Sequence, residues 1–524
     1  MAVTTGGDTQ DTLGAAPGQP AARVQHRPFL AVFRQARRHW LLAALLVAGV
    51  ALRVVSQLAY RPALLYIDSP KYLIPGLEKY DPQGYRVLVI RPLTRIGNLA
   101  VVAGFQHLLG LGMAVAIYIV LLRRNAPRWA AALAAAPVLL DAYQLQMEQT
   151  IMPDVLFEAF IVAGLVILAW KPRPSLTAVS VAGFILGASA TVRQVGEALI
   201  IPALLVCVLA TRGWRNRLGR GVLITVSFLI PVLVYMIYSL LTLGDGFELS
   251  DQGDAVLYGR AAAAADCATL HLTTAERIIC PAPATVRSLG IDGLVNNPTS
   301  PAYAASLPPG ASHQVTVNSF SYAVLEQQPL RVTVAIGQDA VKLFALARKT
   351  SPGDTPIWRW QFQDSYPTYP AAVTISTATQ MFADTGGGGS PVAVRPLAAF
   401  LRDYQLHGGW TPGPFLLVAL LTGVAGVAVG RRRGDSSAAL ACLLVSGLGV
   451  AALLGADLYE FSWRYQLPAL VTLPAGGALG VAAIRARLRR PGQPPVTWGP
   501  YPPSASDQTS GPSAPESSTR IPGS

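Results

Sequence analysis

The chain has 524 residues, of which 52% are hydrophobic and only 13% are charged. Soluble domains carry about 25% charged residues, so this composition excludes a soluble protein of that length. The formal net charge of +13 would fit a nucleic-acid-binding protein, but most arginines stand in short clusters between apolar runs, as membrane-orienting loops do, and we exclude nucleic acid as a partner.

Ten apolar runs approach the length of about 20 residues that a helix needs to cross a bilayer. They cover residues 40–58, 99–122, 128–144, 152–170, 176–191, 195–211, 220–243, 411–430, 437–456 and 463–484. A long polar tail precedes the first run and no clean cleavage pattern follows it, so the run is interpreted as an uncleaved anchor. The pattern predicts an all-α polytopic membrane protein with about ten transmembrane helices.

The basic clusters set the predicted orientation. With the N-terminus in the cytoplasm and ten crossings, all of them fall on the cytoplasmic side, as membrane proteins prefer. They are Arg23 to Arg38, Arg123 to Arg128, Lys171 and Arg173, Arg212 to Arg220, Arg431 to Arg433, and Arg485 to Arg490. We therefore expect a multi-pass plasma-membrane protein whose first loop, and whose active site, face the extracytoplasmic side.

Composition also divides the chain into parts. Residues 1–38 and 491–524 are rich in Pro, Gly, Ser and Thr, which predicts disordered cytoplasmic tails. Spans one to seven occupy 39–243, and spans eight to ten occupy 410–490. Between them, residues 244–409 are too long for a plain loop and predict an extracytoplasmic domain, α-helical or mixed.

Two features of this insert carry separate expectations. Cys267 and Cys280 would lie in an oxidising compartment, which favours a disulfide. Such a bridge would raise the free energy of unfolding by on the order of 3 kcal/mol. Pro329 to Arg348 places apolar residues among polar ones, which fits a helix on the membrane surface and an ordinary domain helix equally well.

Asp68 follows the first span, in Tyr66-Ile67-Asp68-Ser69-Pro70. The outer face offers neither ATP nor nucleotide sugars, so an acid there suggests chemistry on a lipid-carried substrate. A carboxylate can act as general base on an acceptor hydroxyl within hydrogen-bond distance. The alternative is an ordinary turn, for which Asp-Ser-Pro is well suited.

Asp154 and Glu158 are four residues apart, so both face one side of the fourth predicted span. Pro153 suits the first helical turn, where an acid complements the helix dipole. That accounts for Asp154, but Glu158 lies one turn deeper in an apolar run and needs a partner. We predict both as catalytic acids, together with Asp68. A divalent metal among these acids is left open, because no histidine cluster accompanies them.

Arg193 follows the fifth span and Arg464 opens the last one, beside Tyr465. A guanidinium binds phosphate bidentately, so we predict that these three residues bind a donor phosphate. The alternative for Arg193 is an internal ion pair with Glu197 or Glu158, and the same alternative applies to Arg464.

Three further polar residues at the same face, Tyr72, Arg91 and Glu148, are predicted to contact substrate. The sequence contains no P-loop, no HExxH pattern and no GxSxG elbow that would indicate other chemistry.

The order and sidedness of these short motifs resemble the GT-C class of membrane glycosyltransferases, including the dolichyl-phosphate-mannose mannosyltransferase and aminoarabinose transferase-like bacterial families. The motifs are Leu52-Arg53, Asp68-Ser69-x-x-Tyr72, Gly84-Tyr85 through Arg91-Pro92-Leu93, Pro153-Asp154-Val155-Leu156-Phe157-Glu158, Arg193, and Arg464-Tyr465-x-Leu467-Pro468.

The resemblance implies an inverting sugar transfer from a polyprenyl-phosphate carrier to an envelope acceptor, which is a glycan, lipid or protein. Asp68 matches the first-loop acid, acting as base or orienting the acceptor, and Arg193 and Arg464 would stabilise the leaving phosphate. One carboxylate is enough, because no glycosyl-enzyme intermediate need form. Ser69 stands where many relatives have a second acid or a histidine, so their metal dependence is not carried over, and the insert has no counterpart in the resemblance.

Two other functions compete with this one. A transporter or lipid-linked sugar flippase predicts internal repeats with broken helices at the bilayer midplane, and no convincing repeat is present. A non-catalytic envelope scaffold predicts that the outer acids tolerate substitution.

Overall fold

The computed structural model describes residues 38–244, 246–250, 253–370, 372–432 and 436–488. These residues are mostly helical, which confirms the all-α prediction. The predicted tails lie outside the described residues, except for Arg38. A two-stranded antiparallel sheet pairs β1 (Tyr60–Arg61) with β2 (Val392–Ala393).

The helices of the first part are α1 Trp40–Ala59, α2 Ser69–Leu73, α3 Arg91–Thr94, α4 Leu99–Arg123, α5 Arg128–Leu140, α6 Ala142–Gln149, α7 Asp154–Ala169, α8 Leu176–Ala190, α9 Ile200–Leu209 and α10 Trp214–Tyr238. Those of the insert are α11 Gly253–Ala264, α12 Thr274–Ile279, α13 Pro283–Asn296, α14 Pro301–Ala304, α15 His313–Gln327, α16 Pro329–Lys342, α17 Ile375–Asp384 and α18 Arg395–Leu406. The last part contains α19 Gly413–Arg432, α20 Ser436–Asp457 and α21 Pro468–Leu488. Short 3-10 or π turns span Glu78–Tyr80, Arg86–Ile90, Gln194–Leu199, Ser239–Leu243, Ile357–Trp360 and Trp463–Gln466.

Helices occupy all ten predicted span positions, but the count of ten membrane crossings is not confirmed. Six helical segments in the described part of the chain are long and apolar enough to cross a membrane: Trp40–Ala59, Leu99–Arg123, Trp214–Leu243, Gly413–Arg432, Ser436–Asp457 and Trp463–Leu488. Three shorter apolar helices are Arg128–Leu140, Leu176–Ala190 and Gln194–Leu209. The third predicted span is shorter than expected because the Asp141 side chain accepts the Tyr143 N–H at 2.9 Å and so starts α6.

The centre of the bundle is α21, which packs against α19, α20 and α5. At the crossing of α19 and α21, a side chain at Gly480 would collide with the Thr422 carbonyl, so glycine permits this close approach. Small residues serve this purpose in bilayers, where helices associate through van der Waals packing.

The insert packs in two parts. Helices α11 to α16 enclose a core of their own around Tyr258, Phe320 and Val324, whereas Trp360, Phe362 and other residues after Ala340 join the core of the bundle.

The first part is joined to the bundle by Arg260 of α11, whose guanidinium donates to Asp339 of α16 and to the Asp457 carbonyl of α20, each at 2.6 Å. Cys267 and Cys280 form a disulfide within the first part. Helix α16 packs against α20 and leaves Leu330, Val334 and Val341 exposed.

Candidate active site

The loop that carries Asp68 is fixed against the segment before α7. Leu64 donates its N–H to the Gln149 carbonyl at 3.0 Å, and the Ser69 hydroxyl donates to the Ile151 carbonyl at 2.9 Å. These bonds place Asp68 near the N-terminus of α7, where Asp154 begins the helix.

The far end of the same loop is fixed to the end of α8. The Gly84 N–H donates to the Thr191 carbonyl at 2.9 Å, and a side chain at Gly84 would collide with that carbonyl. The chain then turns, with the Arg193 N–H donating to the Ser189 carbonyl at 2.9 Å. Arg193 is thereby brought to the same end of the bundle as Asp68.

Five charged residues form a linked cluster there. Asp68 Oδ1 lies 3.0 Å from Lys71 Nζ, and Asp68 Oδ2 accepts from Arg464 at 2.9 Å. Asp154 Oδ1 accepts from Arg193 at 2.5 Å and lies 3.5 Å from Arg464 Nε. Arg464 therefore connects the first-loop acid to the acid that opens α7.

Aromatic rings hold the two guanidiniums in place. The guanidinium carbons of Arg193 and Arg464 lie 4.6 and 4.7 Å from the centre of the Tyr465 ring, within cation–π range. Arg464 also donates to the Tyr465 hydroxyl at 3.2 Å and lies 5.2 Å from the Trp360 ring.

The cluster lines a cavity of about 370 Å³. Its walls come from the first loop, the turn after α8, helices α11 and α13 of the insert, the segment Thr355 to Trp360, and the connection between α20 and α21. The predicted residues that line it are Asp68, Tyr72, Arg193, Arg464 and Tyr465. Asp154 lies beside it and lines an adjoining crevice with Arg193 and Tyr465.

Electrostatics keep the Asp68–Lys71 pair ionised. Burial by itself raises the pKa of Asp68, but the positive charges of Lys71 and Arg464 outweigh it and hold this pKa well below its usual range. Burial also disfavours the charged form of Lys71. The negative charges of Asp68 and of Asp81, whose Oδ2 lies 2.8 Å from Lys71 Nζ, outweigh burial and raise the pKa of Lys71 above its usual value.

Glu460 is a second carboxyl in the cavity wall, and it lacks a cation. Its Oε1 accepts from the Thr355 hydroxyl at 2.5 Å, and it forms no ion pair within the described residues. Burial, followed by the negative charge of Asp292, raises the pKa of Glu460 to about 7.

Three predicted site residues line neither the cavity nor the adjoining crevice. Arg91 is exposed at the start of α3, directly after the π turn Arg86–Ile90. Glu148 is buried in an ion pair with Arg53 at 2.7 Å, and Glu158 is buried beside Gln144, which donates to it at 2.7 Å. Substrate contact by Arg91 and Glu148 and catalysis by Glu158 stay predictions, and the structure places none of the three at the cavity.

The internal partner of Arg193 also differs from those expected, since it is Asp154 and not Glu197 or Glu158. Glu197 is exposed in the turn that follows Arg193, and Glu158 lies one helical turn deeper than Asp154.

Several wall residues were not predicted as site residues. Lys71 and Glu460 had usable signals, because Lys71 stands three residues from Asp68 and Glu460 stands four before Arg464. The insert residues Asp292, Thr355 and Trp360 had none, because nothing in the sequence indicates which face of the insert meets the bundle.

A divalent metal was left open by the sequence. In the described ranges, no group of three or more His, Cys, Asp or Glu side chains is placed to hold a metal ion. Three acids of the cavity wall, Asp68, Asp81 and Asp292, instead pair with lysine or arginine.

Residues 76–243 match the model of the dolichyl-phosphate-mannose-protein mannosyltransferase family. The resemblance to membrane glycosyltransferases is therefore confirmed. The matched segment contains Asp154 and Arg193 but begins after Asp68, and it covers about a third of the chain. No curated protein matches the sequence of this chain.

Two solved structures are similar to parts of the chain. The protein O-mannosyltransferase Pmt1-Pmt2 complex of S. cerevisiae, bound to its sugar donor, shows 15% identity and a TM-score of 0.32 over 41% of this chain and 35% of that one. The oligosaccharyltransferase AglB of Archaeoglobus fulgidus, in complex with an inhibitory peptide and a dolichol-phosphate, shows 12% identity and a TM-score of 0.39 over 86% of this chain and 51% of that one. The chain thus spans about a third to a half of these proteins, and the TM-scores are too low to establish a shared fold.

Proposed function

We propose that this chain is a membrane glycosyltransferase that moves a sugar from a polyprenyl-phosphate carrier to a glycan, lipid or protein acceptor of the cell envelope. The observation that carries the proposal is the cluster of Asp68, Lys71, Arg193 and Arg464 around one cavity. The family match over 76–243 supports it, since the family's name specifies a sugar on a lipid phosphate.

In the proposed reaction the acceptor oxygen attacks the anomeric carbon while the bond from that carbon to the phosphate oxygen breaks. A single displacement of this kind inverts the configuration. The phosphate leaves with the bonding electrons, and Arg193 and Arg464 stabilise its charge. Asp68 acts as general base and takes the acceptor proton.

The ion pairs give a reason why donor binding should precede removal of the proton from the acceptor. Without a donor, Arg464 is engaged by Asp68 and Arg193 by Asp154. A bound phosphate competes for both guanidiniums, which weakens the hold of Arg464 on Asp68. The base therefore gains proton affinity when the donor is present.

We also propose that the cavity faces the extracytoplasmic side of the plasma membrane. The basic residues Arg123, Lys171 and Arg431 lie at or beyond the ends of α4, α7 and α19 that are remote from the cavity-lining loops. Basic residues favour the cytoplasmic side. Labelling of single cysteines introduced at exposed positions near Arg359 and Arg431 tests this orientation in intact cells.

The decisive experiment measures transfer from labelled polyprenyl-phosphate sugars by the full-length protein in lipid nanodiscs. Asp68→Asn is expected to lower the rate at least a hundredfold, because it removes the base, while donor binding persists. Arg193→Ala is expected to weaken donor binding itself. Unaltered transfer by Asp68→Asn would remove Asp68 as the base, and substrate uptake into liposomes without any covalent transfer would favour the transporter.

A further inference from the structure

Two of the carboxyl groups that line the cavity, those of Asp68 and Glu460, have opposite surroundings. Both oxygens of Asp68 are ion-paired, to Lys71 at 3.0 Å and to Arg464 at 2.9 Å. Within the part of the chain that the structure describes, Glu460 is held only by the Thr355 hydroxyl, which donates to Oε1. Its other oxygen has no hydrogen-bond partner in the described residues, but it is not among their buried unpartnered atoms, so it is accessible to the cavity.

A proton on Asp68 would be short-lived. Protonation would cancel the charge that pairs with both cations, so the ion pairs favour return of the proton from Asp68 to another group. The charge of Asp68 also acts on Glu460, which places the two carboxyls within electrostatic range of each other.

We propose that Glu460 is the final acceptor of the proton that the acceptor hydroxyl loses. This inference depends on the proposed function and adds a second residue to it. The O–H bond of the acceptor breaks as Asp68 takes the proton. The proton then passes from Asp68 to Glu460, directly or along hydroxyl groups in the cavity, and the Asp68 ion pairs form again.

Four neighbouring groups have the largest influence on the proton affinity of Glu460. Asp292 on α13 and Asp68 on the first loop stabilise the protonated form, whereas Arg464 and the Thr355 hydroxyl stabilise the ionised form. The Tyr465 ring lies within electrostatic range from the following turn. Because Glu460 must be ionised to receive the proton, transfer should fall as the pH decreases through about 7, the pKa of this carboxyl.

The test is the pH dependence of transfer by the full-length protein in nanodiscs, between pH 5.5 and 8.5, with the donor and acceptor that give the highest rate in the assay above. Wild type should show an acidic limb near pH 7. Glu460→Gln should lose this limb and fall about a hundredfold at pH 8, with unchanged donor binding and unchanged thermal unfolding.

Two neighbouring substitutions should move the limb in opposite directions. Asp292→Asn removes a negative charge, lowers the pKa of Glu460 and shifts the limb to lower pH. Thr355→Val removes the hydrogen bond to the ionised form and shifts the limb to higher pH. Asp364→Asn changes an exposed acid outside the cavity and should leave the limb in place.

The outcomes separate the two proposals. If wild type transfers sugar but Glu460→Gln keeps both rate and limb, the relay is wrong and the proposed function stands. A wild-type rate that does not vary between pH 5.5 and 8.5 would also overturn the relay. Failure of wild type to transfer from every lipid-phosphate sugar tried would overturn the proposed function, and the relay with it.

Discussion

Two clusters of buried charge differ in one respect, their access to a cavity. In the cavity cluster, defined by Asp68, Asp154, Arg193 and Arg464, opposite charges meet at the wall of an open space. In the interior cluster, defined by Arg53, His107 and Glu148, they meet away from that cavity, which none of the three residues lines. The ion pairs of the two clusters have similar lengths. A ligand that enters the cavity can therefore compete for the ion pairs of the cavity cluster but does not reach those of the interior cluster.

Within the described residues, every side-chain nitrogen and oxygen of the interior cluster except Arg53 Nε has a hydrogen-bond partner. Arg53 donates to Glu148 at 2.7 Å and to the carbonyls of Val138 and Leu139 at 2.9 and 3.0 Å. His107 contacts the other Glu148 oxygen at 2.9 Å. A network of this kind fixes α1, α4, α5 and α6 relative to one another, so we interpret Glu148 as a structural residue.

The largest effect is expected from removing the arginine of the interior cluster. Arg53→Leu leaves Glu148 buried without its cation, which should cost about 3–5 kcal/mol of stability. Thermal unfolding in detergent measures it, with Arg95→Leu, an exposed arginine, as control. Unfolding of Arg53→Leu at the wild-type temperature would show that the interior cluster does not fix the bundle.

A smaller effect should follow a charge-conserving change in the cavity cluster. Arg193→Lys keeps the positive charge but loses the planar fork that binds phosphate bidentately, which should weaken donor binding about tenfold. Binding of a labelled polyprenyl-phosphate sugar measures it. The matched variant Arg217→Lys, remote from the cavity, should bind as wild type does, and equal binding by both variants would contradict the role of Arg193.

The smallest effect is expected at Glu158, which the sequence predicted to be catalytic. Glu158→Gln keeps the shape and the contact with Gln144, so transfer should change by less than about tenfold. Parallel assays with Asp68→Asn give the comparison. A loss at Glu158 as large as that at Asp68 would show that a buried acid away from the cavity takes part in the reaction.

Part of the candidate site could be predicted because consecutive helices that cross one bilayer alternate in direction, so every second connection lies on the same side. Asp68, Arg193 and Arg464 all follow or precede apolar runs at the same predicted end, and all three line the cavity. Arg91 and Glu148 were predicted at the same end but do not line the cavity, because being at one end of a helix does not determine which way a side chain points.

The sequence by itself determined the membrane class, the positions of the helices and the end of the bundle where the polar residues gather, because apolar length and basic clusters are local properties. The tertiary structure decided the partners. Arg464 pairs with Asp68 across 396 positions of the chain, and Glu148 pairs with Arg53 across 95. Such contacts depend on how helices pack and on where the insert meets the bundle, and no local pattern in the sequence encodes that.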